Sequence, residues 1–152
     1  DAEAITGVSQ GKTGDELAAG VTLPQDLREE PFLGEFYGAI AWAVRSIFSN
    51  KLGWFDGNPT SLVPLIPREQ AERMEKLAGG REKLVQAARQ ALVEEDYRWA
   101  AQLADNLLQL GETEEGRRIK ADALEGISRN ILPVAGKNYL VRSAMDPRKE
   151  GN

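Results

Sequence analysis

Between residues 32 and 50 the chain carries Leu33, Phe36, Tyr37, Ile40, Val44, Ile47 and Phe48 at three- and four-residue spacing. That is the period of an α-helix, not of a strand. The opposite side offers Gly34, Gly38, Ala39, Ala41, Trp42 and Ala43, and only Glu35 and Arg45 are charged in the stretch. A helix that is apolar nearly all round must be covered on more than one side. The pattern therefore predicts a rod over 32–50 with more hydrophobic surface than one small domain needs. Gly34 and Gly38 stand one turn apart, and each costs roughly 1 kcal/mol of helix propensity. Close approach of another backbone is the expected compensation.

The rest of the chain reads as helix as well. Residues 1–31 form a connector, punctuated by Gly7, Gly11, Gly14 and Gly20 and closed by Pro24 and Pro31. One short helix is expected over 15–19, with Thr13 as N-cap and Glu16 completing a capping box. A second short turn is expected from Leu23-Pro24. After the rod, Gly53 can cap its end, and Asp56-Gly57 and Asn58-Pro59 are turn dipeptides. Trp54 and Phe55 in so tight a turn are expected to be buried or stacked. Leu62, Val63, Leu65 and Ile66, interrupted by Pro64 and Pro67, read as an extended segment packed on the helices. Four further helices are expected over 68–77, 82–93, 97–110 and 114–127, and a short one over 138–145. Gly116 should weaken the helix that Thr113 caps. Short links between runs imply antiparallel helical hairpins. The stretch 97–124 has tetratricopeptide character, with a tyrosine, small alanines at the crossings and Ala121, Ala123 and Leu124 on the second helix. The expected fold class is all-α, an antiparallel helical bundle with one tetratricopeptide-like hairpin.

Composition removes several functions. With 152 residues the chain is long enough for one domain with a real core. Its net charge of -5 makes nucleic acid an unfavoured partner. No apolar run is long enough to cross a bilayer. Histidine and cysteine are both absent, which removes the commonest general base and the commonest zinc ligands together. No acidic loop has the glycine spacing of a calcium site. The acidic clusters at 94–96 and 112–115 read as helix-start charges favoured by the dipole. Gly7 to Thr13 resembles a phosphate loop but has one residue too few between its glycines, and no strand precedes it. A serine nucleophile would lack an activating imidazole. The sequence thus points to no catalytic, cofactor-binding or metal-ligating residues. Its most specific polar and aromatic cluster is Tyr37, Trp42, Arg45, Trp54, Asp56 and Asn58. These residues fit either a core helix followed by a self-satisfied turn or the wall of a pocket or subunit contact.

A family resemblance is carried by Gly11-Lys12-Thr13-Gly14-Asp15-Glu16-Leu17-Ala18, Glu35-Phe36-Tyr37-Gly38, Trp42-Ala43-Val44-Arg45, and above all Leu52-Gly53-Trp54-Phe55-Asp56-Gly57-Asn58-Pro59. It continues through Leu77-Ala78-Gly79-Gly80 and Asp96-Tyr97-Arg98-Trp99-Ala100-Ala101-Gln102-Leu103-Ala104 to Asn138-Tyr139-Leu140. In this order the chain resembles the dimerisation domain of the bacterial Sds-type alkylsulfatases. The resemblance implies that 1–31 is the tail of a catalytic domain, 32–145 the helical dimerisation domain and 146–152 a polar tail. It implies a parent of metallo-β-lactamase type that hydrolyses alkyl sulfate esters to an alcohol and sulfate. Two zinc ions and a bridging water, all held upstream of Asp1, would do that chemistry. The expected partners are a second copy and the parent's catalytic domain. Candidate interface residues are Phe32, Gly34, Phe36, Tyr37, Gly38, Ile40, Ala41, Val44 and Phe48. Tyr37, Trp42, Arg45, Trp54, Asp56 and Asn58 are candidates for an interdomain surface or substrate entrance. The stretch 128–137 is shorter and less aromatic than the family pattern.

Two rivals remain at this point. A helical adaptor would show a concave peptide groove near Tyr97, Trp99 and Leu103. A small enzyme using carboxylates or arginine would show a deep pocket with convergent charges. The sequence leaves the compartment open.

Overall fold

The computed structural model describes residues 11–30, 32, 34–111 and 113–145. Residues 1–10 of the connector, Pro31, Leu33, Glu112 and the tail 146–152 lie outside the described residues. The elements are α1 (Gly14–Gly20), α2 (Gln25–Arg28), α3 (Ile40–Leu52), a 3-10 turn (Pro59–Leu62), α4 (Pro67–Ala78), α5 (Arg81–Val93), α6 (Tyr97–Gln109), α7 (Thr113–Arg129) and α8 (Val134–Met145). No strand occurs among the described residues, and the fold is all-α. The chain divides into two compact units, one up to Pro64 together with 132–135, the other holding 65–131 and the residues from Gly136 on.

In the amino-terminal unit the capping box forms as the sequence predicts. Thr13 Oγ1 accepts from the Glu16 amide at 3.2 Å, and Glu16 Oε2 accepts from the Thr13 amide at 2.8 Å. Two donors that a helix start leaves unpaired are thereby satisfied. α1 then lays Leu17 and Ala18 on Val44 of α3, with Val21, Ile40, Ala41 and Phe48 packed around them. Ile40, Val44 and Phe48 are spaced four apart, so part of the predicted stripe is real.

The rod itself is shorter than predicted. Its first third is not helical: residues 34–38 are a run of bends, and α3 starts at Ile40. Two local bonds and one long-range bond hold this segment outside the helix. The Phe36 amide donates to the Gly34 carbonyl at 2.7 Å, the Phe36 carbonyl accepts from Val134, and Glu35 Oε1 accepts from the Ile40 amide at 2.5 Å. Glu35 therefore caps α3 from outside the helix, where a continuous helix would have buried that amide in its own ladder. The glycine pair does not serve close helix approach either. A Cβ on Gly34 would meet the ring of Phe36, and Gly38 has open space around it.

The carboxy-terminal unit follows the predicted helices to within a few residues; α8 begins earlier than expected, directly after Pro133. Pro67 opens α4 where its missing N–H costs nothing, and Glu69 reaches back to the Ile66 amide at 3.2 Å. Gly79 ends α4 in the left-handed conformation at φ +91°, and the Gly80 amide donates to the Glu75 carbonyl. Asp96 caps α6 by accepting from the Trp99 amide, which gives that acidic cluster its structural role. Arg81 pairs with Glu75 at 2.9 Å and donates to the Leu110 carbonyl, closing the end of α6. The core is Leu84, Ala88, Leu103, Ala104, Leu107 and Ile119. Ala91, Ala100 and Ala123 form a second cluster, where small side chains let α5, α6 and α7 cross closely.

α6 and α7 run antiparallel: Tyr97 at the start of α6 meets Gly126 late in α7, and Leu107 and Leu108 meet Gly116 early in α7. Gly116 is buried, and an added Cβ would stand 3.2 Å from Leu108 Cδ2. The propensity cost expected at Gly116 is thus the counterpart of close packing. Gly126 is tighter still, since any Cβ there would overlap the Tyr97 ring. Alanine at 126 would gain up to about 1 kcal/mol of helix propensity, but overpacking costs about 1–3 kcal/mol. Gly126→Ala should therefore lower the melting temperature by several degrees. Gly20→Ala, with nothing within 4 Å, should leave it unchanged. Equal melting temperatures for the two variants in thermal denaturation would contradict this packing.

Candidate self-association surface

The large exposed hydrophobic side chains of the amino-terminal unit come mainly from three segments. The bent segment before α3 carries Phe32 and Tyr37, 90% and 84% exposed, with Phe36 beside them. α3 adds Trp42. The segment after α3 adds Trp54, 75% exposed, with Leu62 and Val63. Large apolar side chains standing singly on a surface are ordinary, but this many within one small unit make a candidate interaction surface.

The candidate interface residues divide on this evidence. Phe32, Phe36 and Tyr37 are free. Ile40, Ala41 and Phe48 are half-buried against α1, and Phe48 also lies against Gly14. Val44 is 4% exposed, so it belongs to the unit's own core and offers no free surface. Gly34 and Gly38 shape the bends and are not on the helix.

The second candidate group has a separate architecture. Arg45 donates to Asp15 at 2.6 Å and ties α3 to α1. Both side chains are well exposed, so the pair adds at most about 1 kcal/mol. Trp54 meets the edge of Phe55, with ring centroids 5.8 Å apart at 67°. The two aromatics are therefore stacked edge-on, while Trp54 stays in solvent. The turn below them satisfies itself. Asp56 Oδ1 accepts from the Asn58 amide at 2.9 Å, Asp56 Oδ2 accepts from the Ser61 hydroxyl at 2.9 Å, and Asn58 Oδ1 accepts from the Thr60 amide at 3.1 Å. Gly57 stands at φ +90°, a conformation that suits glycine. The Asn58 amide and the Ser61 hydroxyl hold the Asp56 carboxyl below its ordinary value. Hence Asp56 and Asn58 build the turn that presents Trp54.

Leu62, Val63, Leu65 and Ile66 depart from expectation, being exposed rather than packed on the helices. Pro64 and Pro67 hold this backbone outside helix and sheet, so its apolar side chains have no regular layer to join. The prolines were the available signal.

Near α1 and α3, a cleft of about 450 Å³ is lined by Ala18, Val21, Leu23, Gly34, Ile40 and Ala41 among others. In the other unit, Trp99, Gln70, Gln102, Asn106, Asp105 and Lys120 line a groove of about 500 Å³. Of the face expected for a peptide adaptor, Leu103 is fully buried and Tyr97 packs on Gly126, while Trp99 remains exposed. Among the groove's described lining residues the charged ones are Asp105 and Lys120, which pair with each other at 2.9 Å. Among the described residues no group of three or more Asp, Glu, His or Cys is placed to hold a metal ion. The donor set does not fit a zinc centre. No described helix is long and apolar enough to cross a membrane.

The alkyl sulfatase dimerisation family matches the chain over residues 13–150. The chain is a member of the alkylsulfatase dimerisation domain family. It is 34% identical over 146 residues to a linear primary-alkylsulfatase of Pseudomonas sp., covering 95% of this chain and 28% of that protein. It is 32% identical over 147 residues to an (R)-specific secondary-alkylsulfatase of Pseudomonas sp., covering 95% of this chain and 22% of that protein. The structure of a stereoselective inverting sec-alkylsulfatase from Pseudomonas sp. superposes with a TM-score of 0.89 at 32% identity, covering 98% of this chain and 24% of that one. The domain thus spans about a quarter of the length of these relatives.

Because its hydrogen bonds favour the ionised form, Asp56 stabilises the turn fully above the ordinary carboxyl value of 3.8. That contribution is lost only as pH falls through the lowered folded value. In an NMR titration the Asn58 amide should therefore report a midpoint below 3.8. A midpoint at or above 3.8 would mean the turn is not held by this carboxylate.

Proposed function

We propose that this domain pairs with a second copy of itself to assemble a zinc-dependent alkylsulfatase whose chemistry lies elsewhere in the parent chain. The observation that carries this reading is the exposed apolar surface of Phe32, Tyr37, Trp42, Trp54 and Val63 in a family of dimerisation domains. Burying one such side chain is worth roughly 1.5–3 kcal/mol, and aromatic anchors dominate interface energies. A handful of them suffices for a stable pair after the entropy of association is offset.

The domain's own part is structural. It has no histidine or cysteine, so zinc ligation falls to the remainder of the parent. That remainder is proposed to be a catalytic domain of metallo-β-lactamase type, adjoining the connector 1–31, with 32–145 as the dimerisation domain and 146–152 as its tail. The reaction would be hydrolysis of an alkyl sulfate ester to an alcohol and sulfate, with zinc supplying an activated water. The names of the Pseudomonas relatives support this substrate class. The Arg45 side of α3 and the turn at Asp56 and Asn58 are proposed to adjoin the catalytic domain, leaving Trp54 to the pair.

Sedimentation of the 152-residue chain at micromolar concentration should give a dimer. Tyr37→Glu with Trp54→Glu, both exposed positions, should weaken association by at least about tenfold. A monomer at all concentrations up to the millimolar range would overturn the reading. For the parent, removal of metal by a chelator should abolish release of sulfate from dodecyl sulfate, and zinc should restore it. Full activity without metal would refute the catalytic assignment.

A further inference from the structure

The two units differ sharply in how much apolar surface they bury by themselves. Among the described residues of the amino-terminal unit, Leu17, Ala18 and Val44 are the buried hydrophobic side chains. The carboxy-terminal unit buries many more, among them Leu84, Leu103, Leu107 and Ile119, which are its largest fully buried side chains.

The amino-terminal unit also lacks other supports. It has no disulfide, since the chain has no cysteine. α1 has seven residues and α2 four, both far below the length at which a helix holds itself together in water. α3 has 13 residues and a half-apolar surround. Small domains of about sixty residues are marginal even with a full core. Among the described residues the core is Leu17, Ala18 and Val44 with partly buried Val21, Ile40, Ala41 and Phe48 around them, and the ordering entropy of each residue is about 1–2 kcal/mol. Its ion pair, Arg45 to Asp15, is exposed and contributes little.

We infer that the amino-terminal unit is folded only in the dimer, while the carboxy-terminal unit folds independently of it. This rests on the self-association reading above and adds a claim about energetics to it. The occupant that completes the unit is a second copy, because the family is one of dimerisation domains and the uncovered side chains are apolar and aromatic rather than charged. Dissociation would then unfold α1 and α3 and leave α5, α6 and α7 intact. Association of this chain would be a folding step as well as a docking step.

Hydrogen exchange on the whole chain, measured along a dilution series that spans the dimer-to-monomer transition, tests this. Amides of α3 between Val44 and Leu52 should exchange about tenfold faster or more in the monomer, in step with the monomer fraction from sedimentation. Amides of α6 between Ala100 and Leu107 should change by less than about twofold. If the dimer is too tight to dilute, the Tyr37→Glu, Trp54→Glu double variant supplies the monomer for the same comparison. A dimer that dissociates while α3 stays protected overturns the coupling and leaves self-association standing. A chain that is monomeric throughout overturns self-association itself. Loss of protection in both units together would show that the carboxy-terminal unit is not independent.

Discussion

A helix of seven residues is what the amino-terminal unit offers to cover α3. Leu17 and Ala18 seal Val44, and the flanking Ile40 and Phe48 are only half closed. Every other feature of this unit follows from that shortage of cover. The bent segment that caps α3 through Glu35 turns Phe32 and Tyr37 outward, and the self-bonded turn after α3 holds Trp54 in solvent. A surface built this way gains free energy from being covered. The other unit has solved the same problem internally, with leucines at the centre and alanines where three helices cross.

Both parts of that contrast were partly readable from the residues. The four helices from α4 to α7 have strong caps and clean periodicity: Pro67 and Glu69 at one start, Gly79 and Gly80 at an end, Asp96 at another start. Local chemistry and tertiary packing agree there, and the sequence expectations held within a few residues. The stretch 32–39 misled because its apolar spacing fits a helix while its two glycines and Glu35 favour a capped bend. Periodicity records which residues share a face if a helix forms; it does not say where the helix begins. Glu35, five residues ahead of the Ile40 amide that it caps, was the missed signal, since a carboxylate inside an apolar run needs a reason to be there.

The site was legible to a different degree. Asp56 and Asn58 bond their local amides as the turn dipeptides suggest. The exposure of Val63 and Ile66 was not anticipated, because hydrophobicity alone predicts burial without saying against what. Gly126 was overlooked entirely. A mid-helix glycine without an evident partner in sequence becomes intelligible only when Tyr97, a distant residue, is found lying over it.

The proposed separation of chemistry from assembly has a physical basis in this chain. Hydrolysis of a sulfate ester needs a strong nucleophile near neutral pH, which imidazole or a metal ion can provide and which lysines, arginines and ordinary carboxylates on helix surfaces do not. The carboxyls that are shifted here, Glu16, Asp56 and Glu115, are all lowered by hydrogen bonds that favour the ionised form. A general acid needs the opposite, a carboxyl raised toward neutrality by burial. Each of the three instead closes a helix start or a turn, or pairs with arginines, so the ionisable groups of the domain hold its backbone in place. Among the described residues no buried side-chain polar atom lacks a partner, and the large exposed hydrophobic side chains are the kind of surface a protein partner covers.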